Sequence, residues 1–360
     1  MAKLPHSPLQ TSHHAPFKKV RFSNVLNRAG EPVVMVVRID GSHHTGGGGL
    51  LRVALGLSIL TGEPLVMTNI RAGRDNPGLR PQHVAALTLA AQMCSGSVQG
   101  GDIGSHELLF MPARLEADTY EYDIRTAGSI PLALQPAILA AAFSGKRFTF
   151  HLKGGTDVPH APSADYLRAV FLPAIRNFAR CEVEVAERGF APNGGGRMIV
   201  RVNSGYSRLA PLPPINYATP SRPVKLEFRI VTDEDLEHVR EHLLLTGRNM
   251  GIETSASLNV TRSKGTVSTI IMHHADPVER VIGHSMLGSE RLIERLTNHA
   301  KTLLDIPCDE HLADQLIPYL AYHRGALAHT PTEHMRSALS VAEAFLPGAL
   351  SVEDDIIRSR

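Results

Sequence analysis

Two successive stretches of this chain spell the same order of structural elements, and that repetition restricts its fold more than any other feature. Apolar runs predict strands over Val33–Ile39 and Leu65–Ile70, and 3.6-residue periodicity predicts helices over Gly48–Leu60 and Gln82–Cys94. Gly62 and Gly96 stop those helices, and short strands follow near Val98 and over Leu108–Met111. The order then returns. Strand Tyr120–Ile124, helix Ser129–Phe143, strand Arg147–Leu152, helix Ser163–Phe178, and strands Glu182–Ala186 and Met198–Val202 make a second β-α-β-α-β-β unit.

Several of these strands alternate strictly, as in Arg147-Phe-Thr-Phe-His-Leu152, so each sheet should bury one face against helices and leave the other more open. The expected fold class is α/β, in an α+β two-layer arrangement of repeated units forming one large domain. A proline cluster (Pro211, Pro213, Pro214, Pro220, Pro223) then breaks the pattern. Beyond it, strand Val224–Val231, helix Glu234–Leu245, strand Thr266–Met272 and helix Ser289–Leu304 predict a smaller inserted α/β domain. From Cys308 on come a helix over Leu312–Tyr322 and more strand-like sequence. The expected division is a disordered basic tail at 1–30, a main domain at 31–211 and 306–360, and an insert at 212–305.

Charge narrows the functional classes. Lys+Arg of 37 against Asp+Glu of 35 gives a net charge of only +2, so no broad basic surface exists to grip long nucleic acid. Any contact with RNA should be local. Cys94, Cys181 and Cys308 are widely spaced and form no C-x-x-C pair, which argues against a disulfide framework or zinc site and for a reducing, cytoplasmic setting. No apolar run is long enough to span a bilayer. Lys3, Lys18, Lys19, Arg21 and Arg28 stand in an acid-free N-terminal tail without the apolar core of a signal peptide.

Chemistry concentrates between Asp40 and His83. Gly46–Gly49 open a helix, and glycines there let backbone N–H groups and the positive helix end approach an anion. The next loop reads Arg71-Ala-Gly-Arg74-Asp-Asn-Pro-Gly-Leu-Arg80-Pro-Gln82-His83. Scattered arginines are often only solvated surface charge. Here three are compressed into a loop stiffened by prolines, with Arg52 one turn into the preceding helix, which suits phosphate recognition. The run matches neither the Rossmann G-x-G-x-x-G nor the P-loop. Other glycine groups, at 128, 154–155 and 194–196, read equally well as turns. His43-His44 and His273-His274 are adjacent pairs whose side chains point to opposite faces of a strand and seldom share a metal. Asp314 and Gln315 combine a carboxylate suited to Mg²⁺ with an amide suited to a base or phosphate.

Taken in order, these motifs resemble the RNA 3′-terminal phosphate cyclase family. The resemblance rests on Asp40-Gly41-Ser42 through Leu50-Leu51-Arg52, the whole arginine loop to His83, and Thr126-Ala-Gly-Ser129 with Gln135. Lys153-Gly-Gly-Thr156 with Pro162, the triplet Gly194–Gly196, and Leu312-Ala-Asp-Gln315 continue it, across roughly residues 33–347. The loop is highly specific and the glycine triplets are not. The family's nucleophilic histidine corresponds to His334, eleven residues before Phe345; spacing alone would not select it.

The resemblance implies an ATP-dependent ligase. A histidine takes AMP from ATP, AMP passes to an RNA 3′-phosphate, and the 2′-hydroxyl closes a 2′,3′-cyclic phosphate. It implies that Arg52, Arg71, Arg74 and Gln82 act with His334 on phosphates. Gln135, Pro162, His311, Leu312, Ala313, Asp314 and Gln315 would form the adenylate pocket, with Asp314 near Mg²⁺ or Mn²⁺. One position departs from the pattern: Thr45 stands where the family usually has a glutamate. The chief rival is a non-catalytic cyclase-like protein that binds RNA in ribosome assembly, although such relatives tend to lack the histidine and the arginine loop. A small-molecule transferase sharing the architecture is the third possibility.

Overall fold

In the computed structural model, residues 36–43, 47–205, 214–218, 222–275 and 280–360 are described. The basic tail, Thr45 and three of the boundary prolines, Pro211, Pro213 and Pro220, lie outside them. The first repeat runs β1 (Val37–Asp40), α1 (Gly48–Thr61), β2 (Leu65–Thr68), α2 (Pro81–Met93), β3 (Ser97–Gln99) and β4 (Leu108–Met111). Its sheet has the order β1-β2-β4-β3, with β1 parallel to β2 and the other pairs antiparallel. The second runs β5 (Thr119–Asp123), α3 (Ile130–Ala142), β6 (Arg147–Gly154), an interrupted helix, β7 (Ala179–Glu187) and β8 (Gly196–Ser204). Its order, β5-β6-β8-β7, and its parallel first pair copy the first repeat.

The interruption corrects the continuous helix expected over Ser163–Phe178. Short α4 (Ala164–Tyr166) and α5 (Leu172–Ala174) flank a π-helical stretch, Leu167–Phe171. Pro173 fits without breaking hydrogen bonds because it falls in the first turn of α5.

Next come β9 (Ile215–Tyr217), β10 (Pro223–Thr232), α6 (Glu237–Asn249), β11 (Glu253–Val260), β12 (Val267–His274), β13 (Arg280–Leu287) and α7 (Leu292–Leu304). The chain ends with α8 (Glu310–Tyr322), β14 (Gly325–Ala328), α9 (Glu333–Phe345), β15 (Leu350–Glu353) and β16 (Ile356–Ser359). Strands β11-β10-β12-β13 form a sheet of their own. Strand β9, although inside the span expected for an insert, pairs parallel with β14, and the last sheet reads β15-β16-β14-β9. Read from β9, that is again first, second, fourth, third, with a parallel first pair. A third copy of the unit is therefore present, and β10–α7 enters its first strand-to-helix connection.

The fold is α+β, with mixed four-stranded sheets covered by helices, as the alternation predicted. In β6, Phe148, Phe150 and Leu152 are buried while the residues between them face outward. Capping sets several helix starts: Ser129 accepts from the Leu132 N–H, Asp309 from Leu312 and Thr332 from Met335. Gly62 ends α1 at φ 77°, where its N–H reaches Ser58 O. Among the described residues, no helix is long and apolar enough to cross a membrane.

Candidate active site

Four helices present one face each to a cavity of about 380 Å³. Helix α1 contributes Gly49, Arg52 and Val53; α3 contributes Leu132, Gln135 and Leu139; α8 contributes His311, Asp314, Gln315 and Pro318; α9 contributes His334 and Ala338. Every set is spaced by three, four or seven, the period that puts side chains on one helix face. The loop after β6 adds His160 and Pro162, and aromatic Tyr166, Phe171 and Tyr319 make an apolar floor. The volume and the apolar lining with few polar groups suit a nucleotide-sized ligand.

Seven of the residues selected from sequence thus share one cavity: Arg52, Gln135, Pro162, His311, Asp314, Gln315 and His334. Leu312 and Ala313 do not line it. Both are fully buried on the core side of α8, because a four-residue motif on a helix cannot turn every member to one face. Gln82 stands in the first turn of α2 and accepts from the Ser129 N–H at 3.2 Å, joining the arginine loop to the start of α3. Sequence reasoning missed His160, Tyr166 and Tyr319, none of which stands beside a motif that would single it out.

The arginine loop is fixed. The Gly78 N–H reaches Ile70 O at 2.8 Å and the Leu79 N–H reaches Ser105 O at 3.0 Å, with Leu79 fully buried. Gly78 is at φ 77°, and a Cβ there would stand 2.4 Å from Gly104 O, so only glycine fits. Among the described residues no carboxylate pairs with Arg71, Arg74 or Arg80. Burial lowers the Arg71 pKa, and Arg74 and Arg80 lower it further. Its Nε is buried without a hydrogen-bond partner. Arg74 and Arg80 are exposed, Arg71 Nη2 donates to Asn76 O at 3.2 Å, and an anion between the three guanidiniums would offset their mutual repulsion.

Arg52 carries that charge into the cavity. Its Nε donates to Gln135 Oε1 at 2.6 Å. Burial lowers its pKa to about 10, with Arg71 also lowering it and Asp314 raising it. Asp314 is pushed the opposite way, to about 8, chiefly by burial and despite Arg52, so its carboxyl is largely protonated near neutral pH. His334 is exposed on the first turn of α9. Partial desolvation lowers its pKa, and Arg52, Arg74 and His311 add to the effect. Its imidazole is therefore neutral at physiological pH, with a lone pair free to attack an electrophile.

Supporting contacts hold these groups in place. Asp309 accepts from Tyr166 Oη at 2.6 Å, from the Gly283 N–H at 3.0 Å and from the Leu312 N–H, which anchors the start of α8. Arg188 bonds both Asp157 and Asp165, at 3.1 and 2.6 Å, clamping the ends of the loop that carries His160 and Pro162. His284 on β13 stacks with His299, ring centroids 4.1 Å apart, and with His311 on α8 at 5.9 Å. Asp314 is the one carboxylate lining the cavity, and no group of three or more metal-ligating side chains exists among the described residues. That donor set fits only an ion held mainly by phosphate oxygens, the usual mode of Mg²⁺ at nucleotides.

Comparison with known proteins agrees with the motifs. A family model described as RNA 3′-terminal phosphate cyclase matches residues 43–352. The RNA 3′-terminal phosphate cyclase of Pyrococcus abyssi is 33% identical over 341 residues, covering 89% of this chain and 96% of the relative. That of Thermococcus onnurineus is 34% identical with the same coverage. A relative of the same name from Nitrosospira multiformis is 32% identical over 358 residues, covering 89% of this chain and 95% of its own.

Proposed function

Because the chain belongs to the RNA 3′-terminal phosphate cyclase family, and so to a ligase-type class of enzyme, we propose that it uses ATP to convert an RNA 3′-terminal phosphate into a 2′,3′-cyclic phosphodiester. His334 attacks the α-phosphorus of ATP; a nitrogen–phosphorus bond forms, the bond to the bridging oxygen breaks, and pyrophosphate leaves. An oxygen of the RNA 3′-phosphate then attacks the same phosphorus, AMP moves to the RNA, and His334 is restored. In the third step the 2′-hydroxyl loses its proton and attacks the 3′-phosphorus, and AMP departs. Activation is needed because a bare phosphate oxygen is a poor leaving group.

The observation that carries this reading is the neutral His334 in one cavity with Arg52, next to a cluster of arginines without carboxylate partners. Fixed cations stabilise the charge that gathers on phosphate oxygens during each transfer. Gln135 and Arg52 orient each other, while Pro162, His311 and Gln315 border the space for adenosine. Mg²⁺ or Mn²⁺ would sit on the triphosphate beside Asp314 and offset its charge. The free thiols of Cys94, Cys181 and Cys308 support a cytoplasmic setting. The same reading keeps a main domain with an insert, taken here as β10–α7.

The test is incubation with α-labelled ATP and either metal. The protein should retain labelled AMP through an acid-labile, alkali-stable bond, and His334→Ala should retain none. No label with either metal would overturn the reading and favour a non-catalytic RNA-binding role.

A further inference from the structure

The sheet face that the insert turns toward the second repeat is covered only in part. Near β13 it packs on the interrupted helix, where the Ser163 N–H donates to Ser285 Oγ at 3.3 Å. Over β10 and β11 the two stand apart, and a groove of about 770 Å³ opens between them. Arg168, Arg188, Arg229 and Arg262 line it, against two carboxylates, Asp165 and Glu187. Both carboxylates are already engaged, Asp165 by Arg168 and Arg188 at 2.7 and 2.6 Å, Glu187 by Arg197 at 3.2 Å. Arg229 is held by Glu227 at 2.6 Å. Arg262 is exposed and has no partner among the described residues, and the same is true of Lys264 in the same β11–β12 turn. The uncompensated charge of the groove is therefore positive.

Consecutive contacts connect this groove to the arginine loop. Gln82, at the end of the loop, packs on the turn Thr126–Ser129: a Cβ on Gly128 would stand 3.3 Å from Gln82 Cβ. On its other side that turn meets Gly194, where a Cβ would lie 2.7 Å from Thr126 O, and Gly194 lines the groove. Ser263 Oγ donates to Arg188 O at 2.7 Å, so the insert's β11–β12 turn is fastened to the same wall. Arg125 stands on this bridge, exposed and with no partner for its guanidinium among the described residues. Its backbone is held at φ 61°, a left-handed conformation uncommon for arginine, and its N–H donates to Asp123 Oδ1 at 2.8 Å.

We propose that the groove binds the single-stranded RNA that precedes the reacting end. The terminal phosphate lies at the arginine loop, and the nucleotides upstream of it cross the Arg125 turn and enter the groove beside Arg262 and Lys264. The proposal rests on the cyclase reading for the identity of the polymer, whereas the groove and its positive charge do not. A nucleic acid strand fits better than an acidic protein segment for two reasons. The free cations follow a path that begins where phosphate is handled, which suits a polymer with a charge on every unit. Beside them the groove offers Val260, 79% exposed, and Asn259, an apolar and an amide surface for splayed bases. Only a few phosphates are contacted, in keeping with a chain whose net charge is +2.

The test compares the full chain with the triple variant Arg125→Gln, Arg262→Gln, Lys264→Gln, whose positions are exposed and outside the adenylate cavity. Fluorescence anisotropy of a labelled decanucleotide RNA ending in a 3′-hydroxyl reads the groove without the terminal phosphate. Its affinity at low salt should fall about tenfold in the variant, the sum of three exposed charge contacts. The slope of log affinity against log salt should become shallower by about 2. In turnover, KM for a 3′-phosphorylated decanucleotide should rise by a similar factor, while KM for a 3′-phosphorylated dinucleotide and AMP labelling stay unchanged. No binding by wild type, equal binding by wild type and variant, or a polyglutamate peptide that binds wild type as tightly as the RNA, overturns the proposal. Wild type that binds the decanucleotide through these residues but forms no AMP adduct sinks the cyclase reading and leaves the groove standing.

Discussion

Gly48→Ala and Gly49→Ala change adjacent positions in the same helix turn, yet the structure predicts opposite outcomes. Replacing glycine by alanine in a helix usually gains up to about 1 kcal/mol. At Gly49 the new methyl would meet only Arg52 Nη2 at 3.9 Å, an ordinary contact, so that gain should survive. At Gly48 the methyl would lie 2.1 Å from His83 Nε2, roughly 1.5 Å inside normal contact. The ring cannot swing aside cheaply, because it is 1% exposed and holds the Arg80 N–H. Losing that hydrogen bond costs about 1–3 kcal/mol and an off-rotamer ring another ~1 kcal/mol. The net expectation is that Gly48→Ala is destabilised by about 1–3 kcal/mol. Thermal unfolding of the two variants beside wild type is the assay. Midpoints should fall for Gly48→Ala and hold or rise for Gly49→Ala. Equal midpoints would refute the claim that glycine is present for close approach to His83.

Two further outcomes follow from the electrostatics. Arg71→Met removes a guanidinium with an unpartnered Nε and two repelling neighbours, so its unfolding midpoint should equal or exceed wild type while AMP labelling drops at least about tenfold; a midpoint several degrees lower would show the residue to be structural. Asp314 has a folded-state pKa raised to about 8 from a usual value near 3.8, so the native state holds its proton more tightly. Its contribution to stability is full in acid and is lost as pH rises from the carboxylate range through about 8, with a limiting slope of about 1.4 kcal/mol per pH unit. The midpoint difference between pH 5 and pH 9 should therefore shrink in Asp314→Asn. An unchanged difference would mean the carboxyl is already ionised at pH 5.

What the sequence disclosed depended on whether the signal was local. Strand alternation in β6 and the glycine stop after α1 each lie within one element, and both appear in the structure. The third repeat escaped because β10–α7 separates β9 from α8, and a period interrupted by about ninety residues leaves no pattern to match. Strand β11, Glu253–Val260, was missed for another reason: it is an edge strand with small and polar residues and little buried surface. In the site, the contiguous motif suggested Leu312 and Ala313, but helix geometry turns them into the core. The close approach of His83 to Gly48 is a relation between residues 35 positions apart, which no local pattern records. His334 has no distinctive surroundings in sequence, and only the family likeness singled it out.

The three copies of the unit divide the chemistry among themselves. The first supplies cations, through Arg52 on α1 and the loop before α2. The second supplies Gln135 and the wall from Pro162 to Phe171, and the third supplies Asp314 and His334. Helix α1 is the joint, since it packs against both α3 and α9. Its approach to α3 is close because Gly56 has no side chain; a Cβ there would lie 2.6 Å from Leu139 Cδ2. That approach accompanies the 2.6 Å bond between Arg52 and Gln135, four residues earlier on each helix. His334 and the arginines proposed to act with it thus belong to different copies, brought together by helix packing. A single unit would keep the arginines but lose both His334 and the cavity. Repetition therefore does more here than enlarge the fold, because the junction between copies is where unlike residues on similar helices come to face one another.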